Sequence, residues 1–277
     1  MHDELIKLLE TSDNYLKNNQ LDLSLECLNK AVLLEPTSIE LYRKIAEINF
    51  KLENFKDAIN NYNQAISLDS NNSELYSALG LVYYCSENYE LALKAYNKAV
   101  NISPDDPNLS YTLGIAYFYQ GSYEDSIKCL QNAITLEENQ PKYYVGLGNA
   151  YICLNKYDKA IENFNKAILL NSQDPHYYVG LGNALLSDKQ NNEAIKTFEK
   201  AIDIMPAVSD FHMCLANAYL ANDQIEESIK AYNTAITLNP DNIDYYMSLG
   251  SIYLNNKKYD DAIIVLEKAL SKDLNNE

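Results

Sequence analysis

An alanine recurs at residues 31, 65, 99, 133, 167, 201, 235 and 269, each followed by an aliphatic residue, so that every interval is 34 residues. A period this regular, without insertions, means one supersecondary unit used eight times. A single unit of that size cannot bury its own apolar face, and stacking on neighbours supplies the core. With the first unit starting at Leu5, the expectation is a single array over residues 1–277, with repeats 5–38, 39–72, 73–106, 107–140, 141–174, 175–208, 209–242 and 243–276.

Within a unit the apolar spacing is helical. Repeat positions 4, 7, 8 and 11 of the fifth unit are Tyr144, Leu147, Gly148 and Tyr151, the i, i+3, i+4, i+7 pattern of one helix face. Positions 20, 24 and 27 are Ala160, Phe164 and Ala167, a second helix, and Pro175 opens the next unit in a first helical turn, where proline is tolerated. The chain must turn between them at position 15, which holds Asn19, Glu53, Glu87, Gly121, Asn155, Lys189, Asp223 and Lys257. Gly, Asn and Asp suit the left-handed conformation of a tight helical hairpin, and Glu and Lys suit it less well. Helices of about a dozen residues are marginal alone, so packing between units must hold them.

These residues carry a family resemblance. The chain resembles a tetratricopeptide repeat protein, whose unit has an aromatic at position 4, Leu-Gly at 7 and 8, Tyr at 11, Ala at 20 and 27, an aromatic at 24 and Pro at 32. Position 4 here is Tyr42, Tyr76, Tyr144, Tyr178 and Tyr246, and positions 7 and 8 are Leu79-Gly80, Leu113-Gly114, Leu147-Gly148, Leu181-Gly182 and Leu249-Gly250. Tyr15, Tyr83, Tyr117, Tyr151, Tyr219 and Tyr253 stand at position 11, and Pro36, Pro104, Pro206 and Pro240 close units. The first unit departs, with Leu8, Thr11 and Ser12 at positions 4, 7 and 8. The resemblance implies an all-α, right-handed α-solenoid (a superhelix) of eight helix-turn-helix hairpins and a non-catalytic role in protein binding.

Other chemistries find little support. Two stretches, "YYVGLGNAY" and "YYVGLGNAL", carry G-x-G, but no strand precedes them and Tyr151 and Leu185 replace the third glycine of a dinucleotide fingerprint. His212 stands at position 4, where it reads as a core substitute for tyrosine; it and Cys214 are two residues apart and point to different helix faces, which spoils them as a metal pair. We therefore expect no enzyme activity, no cofactor and no metal. A formal charge of −17 with Arg43 as the only arginine disfavours nucleic acid. No apolar run of about 18 residues exists for membrane insertion. Five scattered cysteines without a C-x-x-C pair, and a start with no uninterrupted apolar stretch, lead us to expect a reducing, cytoplasmic setting.

At about 100° per residue, first-helix positions 2, 5, 6, 9, 12 and 13 form an arc distinct from the packing face. The resemblance implies that this arc lines the inside of the superhelix and binds peptides or extended partner segments. Asp13, Lys17, Glu40, Arg43, Lys44, Glu47 and Lys51 make one end charged. Leu81, Tyr84, Tyr111, Ile115, Phe118 and Tyr119 make an apolar, aromatic middle. Beyond them lie Val145, Asn149 and Ile152, then Val179, Asn183 and Leu186, then Met213, Asn217 and Leu220, and in the last unit Met247, Ser251 and Leu254. Asn149, Asn183 and Asn217 form a ladder whose amides suit the backbone of an extended peptide, with the neighbouring aliphatics selecting side chains. Asn at position 9 is also common in the family without an assigned ligand. The family variant that grips a C-terminal carboxylate has Lys at position 5, where Val145, Val179 and Met213 stand here, so that variant is not expected. A competing reading is structural: Ile264, Val265 and Leu270 on the last helix suit self-association, a homo-oligomer through terminal repeats.

Overall fold

The computed structural model describes residues 2–273, and residues 274–276 of the eighth repeat lie outside that range. The described residues form sixteen α-helices and no strand. They pair as α1 (His2–Lys17) with α2 (Leu21–Leu34), α3 (Ile39–Lys51) with α4 (Phe55–Leu68), α5 (Ser73–Cys85) with α6 (Tyr89–Ile102), and α7 (Pro107–Tyr119) with α8 (Tyr123–Leu136). The series continues with α9 (Pro141–Cys153) and α10 (Tyr157–Leu170), α11 (Pro175–Ser187) and α12 (Asn191–Ile204), α13 (Ser209–Ala221) and α14 (Ile225–Leu238), and α15 (Ile243–Asn255) and α16 (Tyr259–Asp273). The hairpins group into two compact units, residues 1–138 and 139–277. None of the described helices is long and apolar enough to cross a membrane.

Every hairpin turns in the same way. The N–H at position 16 donates to the carbonyl at position 11 in all eight, at 2.8–2.9 Å, from Gln20 to Tyr15 through Lys258 to Tyr253. This bond closes the helix around a left-handed residue and satisfies a carbonyl that the helix end would otherwise leave unpaired. Position 15 accordingly has positive φ throughout: 83° at Gly121 and 55–63° at the seven others, including Glu53, Glu87, Lys189 and Lys257. The turn is imposed by its position in the hairpin, whatever residue stands there.

The small residues explain the close packing of the helices. A Cβ added to Gly80 would stand 2.7 Å from the Tyr96 ring, one on Gly148 2.8 Å from Phe164, and one on Gly182 2.6 Å from Phe198. Position 8 therefore lies flat against the position-24 ring of its own hairpin. The alanines at position 27, from Ala31 to Ala235, are fully buried, and Ala269 is nearly so. In the compact unit that starts at residue 139, Phe164 also meets the following hairpin, because a Cβ on Gly180 would stand 2.2 Å from its ring. One aromatic ring thus fills the space between two glycine-bearing helices, close packing that tolerates no extra atom.

Departures from the repeat pattern are compensated locally at all but one of the following sites. In the first repeat Ser12 replaces the glycine and Ser24 the alanine; both are buried and their hydroxyls hydrogen-bond to each other at 2.7 Å. Ser228, at the same position 20, donates to the Ala216 carbonyl at 2.8 Å. His212 takes the place of a position-4 tyrosine, its Nε2 lying 2.9 Å from the Pro206 carbonyl. Tyr246 Oη donates to the equivalent Pro240 carbonyl at 3.0 Å. A carbonyl only accepts, so Nε2 carries the proton in this contact. Ser126, the third position-20 serine, is fully buried and its hydroxyl has no partner among the described residues. Five other repeats carry alanine there (Ala58, Ala92, Ala160, Ala194 and Ala262), so Ser126→Ala removes an unpaired hydroxyl without changing the packing. We expect it to stabilise the fold by about 1 kcal/mol, read as a higher urea midpoint at unchanged m-value.

Candidate functional site

The apolar middle of the first-helix arc lies within the first compact unit, before residue 139. Leu81 and Tyr84 from α5, Tyr96 from α6, and Tyr111, Thr112, Ile115, Ala116 and Tyr119 from α7 line a cavity of about 200 Å³. Tyr84 meets Tyr89 edge-on with ring centroids 5.4 Å apart and lies 6.1 Å from Tyr119. Phe118 lies 5.5 Å from Tyr119 and 5.6 Å from Tyr123. Such pairs hold the rings in place and keep their free faces available. Leu81 remains 44% exposed and Tyr119 67% exposed, unusual for large apolar and aromatic groups clustered together. A second cavity of about 480 Å³ shares Leu81, Tyr96 and Thr112, and extends past Ala78 and Leu109 to Ser77 and Glu74.

Tyr111, Phe118 and Tyr119, with Leu81, Tyr84 and Ile115, share this arc by helical angle, and the structure brings them together. Tyr96 and Thr112 join them without having been singled out by the sequence pattern. Tyr96 belongs to the second helix, where position 24 reads as an internal spacer, yet with Gly80 beneath it the ring reaches far enough to floor the cavity. Burial raises the Tyr96 and Tyr111 phenols above their ordinary range, so both stay neutral at physiological pH.

Much of the charged end of the arc is paired within itself. Arg43 donates to Glu40 at 2.7 Å and to Glu47, while Lys44 lies 3.6 Å from Asp13. The only arginine is therefore held by two carboxylates of its own helix.

In the second unit, Val145, Ile152, Val179, Leu186 and Met213 are half-buried, and Leu220 and Met247 are exposed. Asn149 and Asn183 are exposed, with no side-chain hydrogen bond among the described residues. Asn217 differs. It is half-buried, and its carbonyl accepts from Tyr232 Oη at 2.5 Å. The cause is position 24, which is a hydroxyl-bearing tyrosine beneath Asn217 and Phe164 or Phe198 in the two preceding hairpins. The expected three-rung ladder thus has two open amides and one engaged internally, a difference readable by comparing positions 9 and 24. Ser251 Oγ donates to the Met247 carbonyl at 2.9 Å.

Burial pushes the Cys129 and Cys214 thiols up to about 11, opposite to the activation a nucleophile needs. No group of three or more His, Cys, Asp or Glu suited to a metal ion occurs among the described residues.

The sequence matches the family profile described as TPR repeat over residues 47–86, 83–121, 116–154, 148–189 and 216–257. It matches the one described as tetratricopeptide repeat over 175–207 and 243–276. Among solved structures it is similar to a tetratricopeptide repeat protein from Parabacteroides merdae ATCC 43184, at 18% identity and a TM-score of 0.69, covering 90% of this chain and 99% of that one. It is also similar to the C-terminal part of a TPR repeat-containing protein from Cytophaga hutchinsonii, at 21% identity and a TM-score of 0.70, covering 87% and 99%. MamA from Desulfovibrio magneticus RS-1 aligns at 24% identity and a TM-score of 0.56, covering 62% of this chain and 97% of that one. At such identities the likeness is one of fold. No curated protein matches the sequence. With hairpins, close-contact glycines and repeat profiles in agreement along the chain, the protein belongs to the tetratricopeptide repeat family.

Proposed function

We propose that this protein is a non-catalytic scaffold that binds an extended peptide or partner segment on the first-helix arc, anchored in the aromatic cavity of the first unit. Family membership supports protein interaction in general, and the observation that carries the finer reading is the half-open cavity between Leu81 and Tyr119. An apolar side chain seated there removes from water surface that this chain leaves exposed. In the second unit, Asn149 and Asn183 offer a donor and an acceptor each to a ligand backbone, with Val145, Ile152, Val179 and Leu186 beside them. The five free cysteines support a reducing, cytoplasmic setting.

Selection from a random peptide library tests this reading. We expect enriched clones to bind the parent and to lose at least about tenfold in affinity on Leu81→Asp, which places a charge in the cavity, with helicity by circular dichroism unchanged. Failure to enrich any clone, or binding indifferent to Leu81→Asp, contradicts the proposal.

The alternative of self-assembly draws on α16, where Ile264 and Leu270 are 53% and 59% exposed. Val265 packs inward against the core that includes Leu249 and Ile252. Molecular mass that stays monomeric at high concentration removes that alternative.

A further inference from the structure

Resting on the groove reading above, we infer that the first unit selects a basic segment: one apolar anchor side chain flanked by lysine or arginine. The two cavities share Leu81, Tyr96 and Thr112 and so form one trough with two differently equipped parts. One part is apolar and rimmed by the exposed Tyr119 ring, with Tyr84 and Tyr89 behind it. The other is bordered by Glu74, which is exposed and has no ion-pair partner among the described residues. This carboxylate differs from those on the neighbouring α3, where Glu40 and Glu47 are both held by Arg43.

An acidic or neutral ligand on this trough would face Glu74 without compensating it. A cationic one pairs with Glu74 at one part and lays a second cation over the Tyr119 face at the other, the arrangement that aromatic rings and ammonium or guanidinium groups favour. Glu74 precedes Leu81 by seven residues on α5, about 10 Å along the helix axis, the span of about three residues of extended peptide. The net charge of −17 acts in the same direction, drawing cationic segments towards the chain before contact.

The test uses three fluorescein-labelled peptides of equal length, read by anisotropy on the full chain near physiological salt. One carries a leucine anchor flanked by arginines and lysines, the second has glutamate for each cation, and the third has serine for the leucine. We expect the first to bind and the other two to bind at least about tenfold more weakly. Glu74→Gln should weaken the first by about threefold, and Glu74→Lys by about tenfold. Equal binding of the glutamate or serine peptide, or affinity unmoved by Glu74→Lys, overturns the inference. If the basic peptide fails while library-selected clones still bind in a Leu81-dependent way, the choice of ligand is wrong and the groove reading stands. Should Leu81→Asp leave all binding intact, both fall together.

Discussion

Adding a single methyl group at Gly180 should destabilise the second unit by about 2 kcal/mol, although alanine is the better helix former by about 1 kcal/mol. The new Cβ would stand 2.2 Å from Phe164 Cε1 and 2.7 Å from Cζ. The ring has nowhere to retreat: it is 1% exposed, and its opposite edge lies against Gly148, where a Cβ would be only 2.8 Å from Cε2. Overpacking of about 3 kcal/mol therefore outweighs the helix-propensity gain. The cause can be isolated with a second variant, because Leu130 and Leu266 fill the same position opposite Gly114 and Gly250 in other hairpins. In a Phe164→Leu background, Gly180→Ala should become nearly neutral, giving a coupling energy of about 2 kcal/mol in urea unfolding. A Gly180→Ala protein as stable as the parent would show that the ring is not confined between the two helices.

The opposite sign is expected at the turns. Glu53, Glu87, Lys189 and Lys257 hold φ of 59°, 62°, 63° and 59°, a conformation that costs a residue with a Cβ about 1–2 kcal/mol. Glycine removes that cost and returns part of it as chain entropy in the unfolded state, leaving about 0.5–1 kcal/mol per site. The four sites lie in separate hairpins, two in each unit, so their effects should add to about 2–4 kcal/mol in the quadruple variant. A raised urea midpoint with unaltered far-ultraviolet circular dichroism is the expected readout. No change in midpoint would mean that these turns are not strained.

Periodicity explains why so much of the fold was legible. An interval of 34 residues fixes two helices, a turn and a pair of small-residue contacts, and each position then repeats its role. The turn position was legible, but the conformation of Glu and Lys there was not, since intrinsic preference argues against it and the hairpin bond overrides that preference. Gly180 shows a different limit. Its repeat position belongs to the outward first-helix arc by helical angle, yet its missing side chain lets Phe164 of the preceding hairpin fill the space. Asn217 shows a third: equal spacing suggested three equivalent amides, and one tyrosine hydroxyl on the second helix distinguishes the last. The period also runs unbroken through residue 139, and gives no sign of the two compact units.

For the candidate site, the chemical character of the middle was legible because Tyr84, Tyr111, Phe118 and Tyr119 concentrate on one arc of two adjacent repeats. The cavity's floor was not, because Tyr96 reaches it from a helix whose matching residues elsewhere are internal.

A bound ligand should seat an apolar side chain in the trough between Leu81 and Tyr119. The most direct measurement is a methyl-labelled NMR titration of the full chain with a library-selected peptide. The methyl groups of Leu81, Thr112 and Ile115 should shift in proportion to occupancy, and exposed Leu33 and Leu169, on second helices, should not. Saturable binding that moves Leu33 or Leu169 and leaves Leu81 and Ile115 in place would put the ligand outside the trough.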